Sequence, residues 1–123
     1  MDLLDIMVGG PMQSLLDGTR QPRNDDEARF ASYHNSHQYV FNLFDKFTRD
    51  RISRGFNNFS AHGIIMRIRW ETDKPYDDAH PISDEPMKIS DHHFPYYARL
   101  WMERNPEYSD FFRTKKLKGE EAA

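Results

Sequence analysis

The sequence has 123 residues, which is enough for one compact domain and too few for two. It is 14% aromatic and 30% charged, a composition that suits an aromatic core inside a polar surface and differs from that of a disordered chain. It contains no cysteine, which favours a cytoplasmic location over a disulfide-stabilised secreted one, and no segment approaches the roughly 20 apolar residues of a membrane-spanning helix.

The first segment, residues 1–28, is predicted to be a partly flexible arm. Two short apolar pieces, MDLLDIM and MQSLLDG, are separated by GGP and followed by the polar stretch TRQPRNDDE. The arm contains at most a short helix, and it serves either as an interaction peptide or as a disordered leader. Residues 29–118 are predicted to form a single compact helical domain, and residues 119–123 a tail.

The first strong helix is predicted over SHQYVFNLFDKFTRDRISRG, residues 36–55. Asn35 or Ser36 can cap its start, and Gly55 can adopt the left-handed conformation that ends a helix. Arginines in its last turns suit the helix dipole without any ligand. Apolar residues at helical spacing line one face: Val40, Leu43, Phe44 and Phe47.

A second helix is predicted after the short aromatic piece FNNFS, which reads as a single strand or a turn. Ser60 can cap this helix, AHGIIMRIRWET, although alternation over residues 64–70 also permits a strand. The cap and the length favour the helix. Its predicted apolar set comprises Ile64, Ile65, Ile68 and Trp70.

The third helix follows a proline-rich acidic loop, residues 72–86. Ser90 or Asp91 can cap it, and Pro95 falls within its first turn, where proline is tolerated. Pro106 ends it, and DFFRTKKL then reads as a terminal strand or one arm of a hairpin. Its predicted buried face comprises Phe94, Tyr97, Leu100 and Trp101.

The predicted fold class is therefore mainly α with a small β component. The order of elements over residues 36–118 resembles a winged helix-turn-helix domain, with a three-helix core and a terminal wing. That resemblance implies that the third helix enters the major groove of DNA and that the wing contacts the backbone. The chain departs from the family in the long acidic loop before the third helix, where the family has a tight turn. The blocks RISRGFNNFSAHGIIMRIRWET and YYARLWMERNPEYSDFFRTKKL also resemble small uncharacterised phage and bacterial proteins, which implies no catalytic activity.

The spacing of the histidines and carboxylates gives little support for a metal site or a catalytic site. His92 and His93 are adjacent, so they diverge on a helix, whereas zinc-binding helices use pairs three or four apart. The pair His34 and His37 has that spacing, but Asn35 and Ser36 look like caps, which predicts a surface pair. A mixed metal site would need a further ligand from the acidic loop, such as His80 with Asp77 or Asp78. A metal-dependent hydrolase would be built from Glu71, Asp77 and Asp78, with Lys74 near the metal. No catalytic residue, bound metal or cofactor is predicted.

Charge distribution gives the main functional lead. Residues 37–71 and residues 92–118 each carry six basic and three acidic residues, while residues 72–91 carry two basic and six acidic ones. The third helix and terminal strand could present a basic face to nucleic acid. The alternative is a solvated face on which arginine stems lie over aromatic rings. The predicted nucleic-acid contacts are Tyr96, Arg99, Arg104, Arg113, Lys115 and Lys116.

Two functions follow from these patterns. The first is a small non-enzymatic regulator or accessory protein that binds DNA through that basic face. The alternative is a modulator of another protein, such as a phage-encoded inhibitor or adaptor of a host protein, which contacts its partner through the N-terminal arm or the acidic loop. The loop residues predicted for that contact are Asp77, Asp78, Asp84 and Glu85.

Overall fold

A computed structural model of the chain describes residues 10–72 and 89–114. The prediction of a mainly helical protein is confirmed. No strand occurs in these two ranges, so the predicted β component and the wing have no counterpart there. The five α-helices in the described ranges are α1 (Pro11–Asp17), α2 (Asp25–Ser36), α3 (Gln38–Ser53), α4 (Ala61–Thr72) and α5 (Phe94–Arg104), with 3-10 turns at Asp91–His93 and Pro106–Tyr108.

The three helices predicted from the sequence are α3, α4 and α5. Gly55 follows α3 with φ of +92°, in the left-handed region that favours glycine. The hydroxyl of Ser60 accepts a hydrogen bond from Gly63 N at the start of α4, which confirms that cap. The hydroxyl of Ser90 accepts from His92 N and caps the 3-10 turn that precedes α5.

The start of α3 differs from the prediction. Neither Asn35 nor Ser36 caps it, because both residues belong to the preceding helix, α2. His37 is the only residue between α2 and α3, and its side chain makes no cap hydrogen bond. Its ring instead stacks on Tyr33, with 4.2 Å between the ring centroids.

Within the predicted arm, α1 packs against α5. Met12 and Leu15 are buried, and the Glu103 carboxylate accepts hydrogen bonds from the N–H groups of Met12 and Gln13 at 2.8 and 3.2 Å. A carboxylate at the start of a helix satisfies free N–H groups and complements the helix dipole. The boundary predicted at residue 28 falls inside α2, and residues 1–9 lie outside the described ranges.

The start of α2 is fixed by a buried carboxylate. The side chain of Asn24 caps the helix by accepting from Glu27 N. Glu27 has no exposed surface and accepts hydrogen bonds from the side chains of both Arg20 and Arg23. This ion-pair cluster ties the 18–24 connection to α2, because a buried charge is tolerated only when it is paired.

The core surrounds α5, whose predicted buried face is confirmed. The indole N–H of the buried Trp101 donates to the Asp45 carboxylate of α3 at 2.9 Å. The prediction that Trp70 belongs to the core is wrong, because Trp70 lies opposite the buried isoleucines of α4. The largest fully buried apolar side chains are Trp101, Tyr97, Phe30, Phe44, Phe111, Met12, Ile64, Ile65, Ile68, Leu100 and Val40.

The segment after α5 packs without forming a strand as far as Thr114. Phe111 and Phe112 are buried, as predicted, and both rings contact Trp101. A backbone hydrogen bond from Phe59 N to Phe111 O joins this segment to the 56–60 connection at 3.2 Å. The connection is irregular between Gly55 and α4, so the alternative of a strand there is not realised.

Candidate functional surfaces

The four predicted nucleic-acid contacts that the structure describes do not lie on one face. Tyr96 is 3% exposed and stacks on Phe30 of α2, so its ring belongs to the core. The guanidinium of Arg104 donates two hydrogen bonds to the Gln13 side chain of α1. Arg99 and Arg113 line two different clefts. Lys115 and Lys116 lie outside the described ranges.

Many arginines in the described ranges are held by contacts within the fold. The four arginines on α3 and α4 that form ion pairs with carboxylates are Arg49, Arg51, Arg67 and Arg69. The ion-pair partner of Arg69 is Asp91, at 3.1 Å, and Arg69 also donates to the Ile89 carbonyl. This arrangement matches the alternative in which arginine stems cover aromatic rings. The guanidinium–ring pairs are Arg49 on Trp101, Arg51 on Phe56 and Phe59, Arg67 on Phe47, Arg69 on Phe94, and Arg104 on Phe41.

The cleft that contains Arg113 lies beside the start of α4 and has a volume of about 680 Å³. Phe59 and Phe94 contribute apolar walls, and the imidazole of His62 meets the Phe94 ring edge-on at 5.2 Å. Arg113 and His62 are exposed, and Arg113 forms no ion pair with any described residue. The cleft thus combines aromatic walls with an exposed cation.

A second cleft, of about 520 Å³, lies between α1 and α5. Met12 and Met102 form apolar walls, and Arg23 and Arg99 add positive charge. Glu103 also lines it, and burial raises the pKa of this carboxyl although hydrogen bonds from the α1 backbone oppose the change. Because Glu103 holds the start of α1, this cleft serves the packing of that helix.

The outer face of α4 carries two large exposed apolar side chains. Trp70 is 72% exposed and Met66, one turn earlier, is 46% exposed. Residues four apart lie on the same side of a helix, so these two side chains form one apolar strip. The chain then continues into the acidic segment that contains Asp77, Asp78, Asp84 and Glu85, all of which lie outside the described ranges.

The strip was not predicted, because the alternation over residues 64–70 groups Trp70 with the buried isoleucines. On a helix, Trp70 lies two positions, or about 200°, beyond Ile68, and therefore on the opposite side. The sequence did contain the signal, because a helical assignment for α4 requires Trp70 and Met66 to share the face away from Ile64 and Ile68.

Among the residues that the structure describes, no three metal-binding side chains lie together, so the histidines there form no metal centre. The prediction that His34 lies on the surface is wrong, because it is buried in the last turns of α2. His93 is also buried, whereas its neighbour His92 is exposed. His80, which was a candidate ligand with Asp77 and Asp78, lies outside the described ranges.

Comparisons with known proteins give no assignment. No protein-family model matches the chain, and neither a curated protein nor a solved structure matches it. Among residues 10–72 and 89–114, no helix is long and apolar enough to cross a membrane.

Proposed function

We propose that this protein is a non-enzymatic protein-binding module whose contact surface is centred on the Trp70–Met66 strip of α4. The observation that carries the proposal is the 72% exposure of Trp70. A tryptophan side chain is a large apolar group, and its exposure beside a second apolar side chain is typical of an interaction surface. Tryptophan is also enriched among the residues that dominate binding energy at protein interfaces.

The chemistry of the partner follows from the sequence that continues α4. Residues 73–88 contain five acidic and two basic side chains, and this segment follows α4 directly. The Arg67–Glu71 ion pair at 3.2 Å lies on the same helix and uses one of its arginines internally. The complementary partner has an apolar pocket for Trp70 with basic side chains at its rim, because acidic segments steer and orient basic partners.

This proposal keeps the acidic-loop contact predicted from the sequence and adds an apolar anchor to it. The resemblance to small uncharacterised phage and bacterial proteins implies no catalytic activity, which agrees with a module that acts by binding. The four predicted loop contacts, Asp77, Asp78, Asp84 and Glu85, would contribute mainly to association rate and salt dependence, as charges at an interface rim do.

The test compares the affinity of wild type and variants for a partner recovered by affinity purification and then purified. We expect Trp70→Ala to weaken binding by about 30-fold or more, since interface tryptophans are worth about 2 kcal/mol or more and 1.4 kcal/mol is tenfold. Phe56→Ala is the matched control, because Phe56 is 43% exposed but precedes α4 and contacts Arg51 of α3. Equal affinities for wild type and Trp70→Ala would refute the proposal.

A second candidate function is nucleic-acid binding at the Arg113 cleft. Its support is the combination of an exposed cation with the Phe59 and Phe94 walls, and the winged-helix resemblance in the order of α3, α4 and α5. Lys115 and Lys116 follow Arg113 in the sequence and would extend the positive charge. Fluorescence anisotropy with mixed short DNA duplexes tests it. Affinity must fall with salt and with Arg113→Ala, and no binding at low salt would retire it.

A further inference from the structure

The interface between α2 and the start of α5 contains an unusual group of buried polar atoms. Tyr33 Oη, His34 Nδ1, His93 Nδ1 and Tyr97 Oη are all buried, and none has a hydrogen-bond partner within the described part of the chain. Buried polar atoms are nearly always paired, so four in one interface call for an explanation.

These side chains gather around one ring. The centroid of Phe30 on α2 lies 6.0 Å from that of His34, 5.7 Å from that of His93 and 5.0 Å from that of Tyr97. Tyr33 joins the cluster through His93, with 5.2 Å between centroids. The two imidazoles therefore stand on opposite partners of one interface, His34 on α2 and His93 beside α5.

We propose that this interface is an acid-sensitive joint, at which protonation of His34 and His93 releases α1 and α2 from α5 while α3 and α4 stay packed on it. A protonated imidazole carries a charge into this buried interface, where Nδ1 of each ring has no hydrogen-bond partner among the described residues. The neutral rings are tolerated there, so closure of the joint selects the neutral form. This inference is independent of the proposed partner surface.

The charges near each histidine help to determine whether its pKa is raised or lowered. Burial, assisted by the nearby guanidinium of Arg104 on α5, lowers the pKa of His34 to about 4. On its remaining sides His34 meets the neutral rings of Phe30 and Phe41.

His93 has a mixed electrostatic environment. Burial lowers its pKa and the adjacent His92 contributes to the lowering, whereas Asp26 of α2 opposes it. The hydroxyls of Tyr33 and Tyr97 are neutral in acid, and burial raises the pKa of both further. Asp26 does not restore an ordinary pKa to His93.

Helices α1 and α2 would move together when the joint opens. Burial alone would raise the pKa of Glu27, but hydrogen bonds from Arg23 and Arg20 lower it to about 2, so the cluster that joins the 18–24 connection to α2 survives moderate acid. The side chain of Asn35 on α2 also donates to the Leu16 carbonyl of α1. What crosses to α5 is the aromatic cluster with the Glu103 and Arg104 contacts to α1.

Hydrogen exchange with mass spectrometry on the full chain tests the joint. With a pKa of 6.5 in the open state and about 4 in the closed state, His34 alone predicts about 20-fold more opening at about pH 5 than at neutral pH. After correction for intrinsic exchange rates, we expect α2 amides to lose about that much protection, and α4 amides to lose much less. Equal protection of α2 at both pH values, or equal losses in α2 and α4, would overturn the proposal.

Substitutions of His34 and His93 test whether these histidines cause the acid-induced loss of protection in α2. His34→Phe keeps a ring in the cluster but cannot be protonated, and with His93→Phe it should abolish the acid-induced loss in α2. His62→Gln is the matched control, because His62 is an exposed histidine on α4 and its replacement should leave the response unchanged. An undiminished response in the doubly substituted chain would overturn the proposal. The wild-type comparison of α2 with α4 decides the question even if a variant fails to fold.

Discussion

Replacing Glu27 by glutamine tests how strongly a single buried ion-pair cluster stabilises the first two helices. The carboxylate accepts hydrogen bonds from the backbone and side-chain N–H groups of Arg23 at 2.7 Å each, and from Arg20 Nη1 at 2.9 Å. Glutamine has nearly the same shape, but it loses the negative charge. It also places an amide NH₂ group, which only donates, against arginine groups that also only donate.

The magnitude follows from the pKa of Glu27. A pKa of about 2 in place of the ordinary 4.5 corresponds to about 3 kcal/mol in favour of the folded state. Because the folded-state pKa is lowered, this contribution is fully present above about pH 4.5 and is lost as the pH falls towards 2. We therefore expect Glu27→Gln to lower the free energy of unfolding by about 3 kcal/mol at neutral pH.

Urea unfolding followed by far-UV circular dichroism measures this loss. Glu107→Gln serves as the control, because Glu107 is an exposed glutamate in the last 3-10 turn and its replacement should change the stability by no more than about 0.5 kcal/mol. The difference between wild type and Glu27→Gln should also shrink as the pH falls below 4.5. A loss below about 1 kcal/mol for Glu27→Gln at neutral pH would refute the reasoning.

Three further substitutions test packing and backbone, each by urea unfolding. Asp45→Ala should cost about 2 kcal/mol, because it leaves the buried Trp101 N–H without its acceptor; a loss below about 0.5 kcal/mol would contradict this. Gly63→Ala should destabilise despite the higher helix propensity of alanine, because its Cβ would lie 2.6 Å from the Phe59 ring; the same change in a Phe59→Ala background should instead stabilise. Gly55→Ala should cost about 1 kcal/mol because φ there is +92°, and no loss would argue against that geometry.

The helices predicted correctly were those with a continuous apolar face. In α3, Val40, Phe44 and Phe47 recur at helical spacing and all three are buried. Gly55 marked its end because a left-handed residue is required there. Apolar periodicity therefore suffices to identify a helix where burial is achieved by apolar side chains alone.

The helix α2 escaped prediction because the residues that it buries are mostly not apolar. Its buried side chains are Glu27, Phe30 and His34, spaced three and four apart. Only Phe30 among these three contributes to an apolar pattern. Glu27 is buried because its carboxylate forms ion pairs with Arg20 and Arg23, which a pattern of apolar residues does not reveal. The cap signal of Asn24 followed by Glu27 was present in the sequence, but it preceded no apolar run.

Individual residues were misjudged for separate reasons. Tyr96 was expected on the surface because its neighbour across the core, Phe30, belongs to the helix that was not predicted. Trp70 was grouped with the isoleucines because of the alternation over residues 64–70, although a helical α4 turns it outwards. Arg99 and Arg113 lie close in sequence, but they line different clefts, and sequence proximity gave no indication of that separation.

The most direct test of the central claim is acrylamide quenching of tryptophan fluorescence in the isolated full-length chain. The chain has two tryptophans, Trp101 fully buried and Trp70 largely exposed. We predict one shielded and one accessible component of the emission, and loss of the accessible component in Trp70→Phe. A single shielded component in the wild type would show that the chain itself covers Trp70, and would contradict its role as the exposed anchor for a partner.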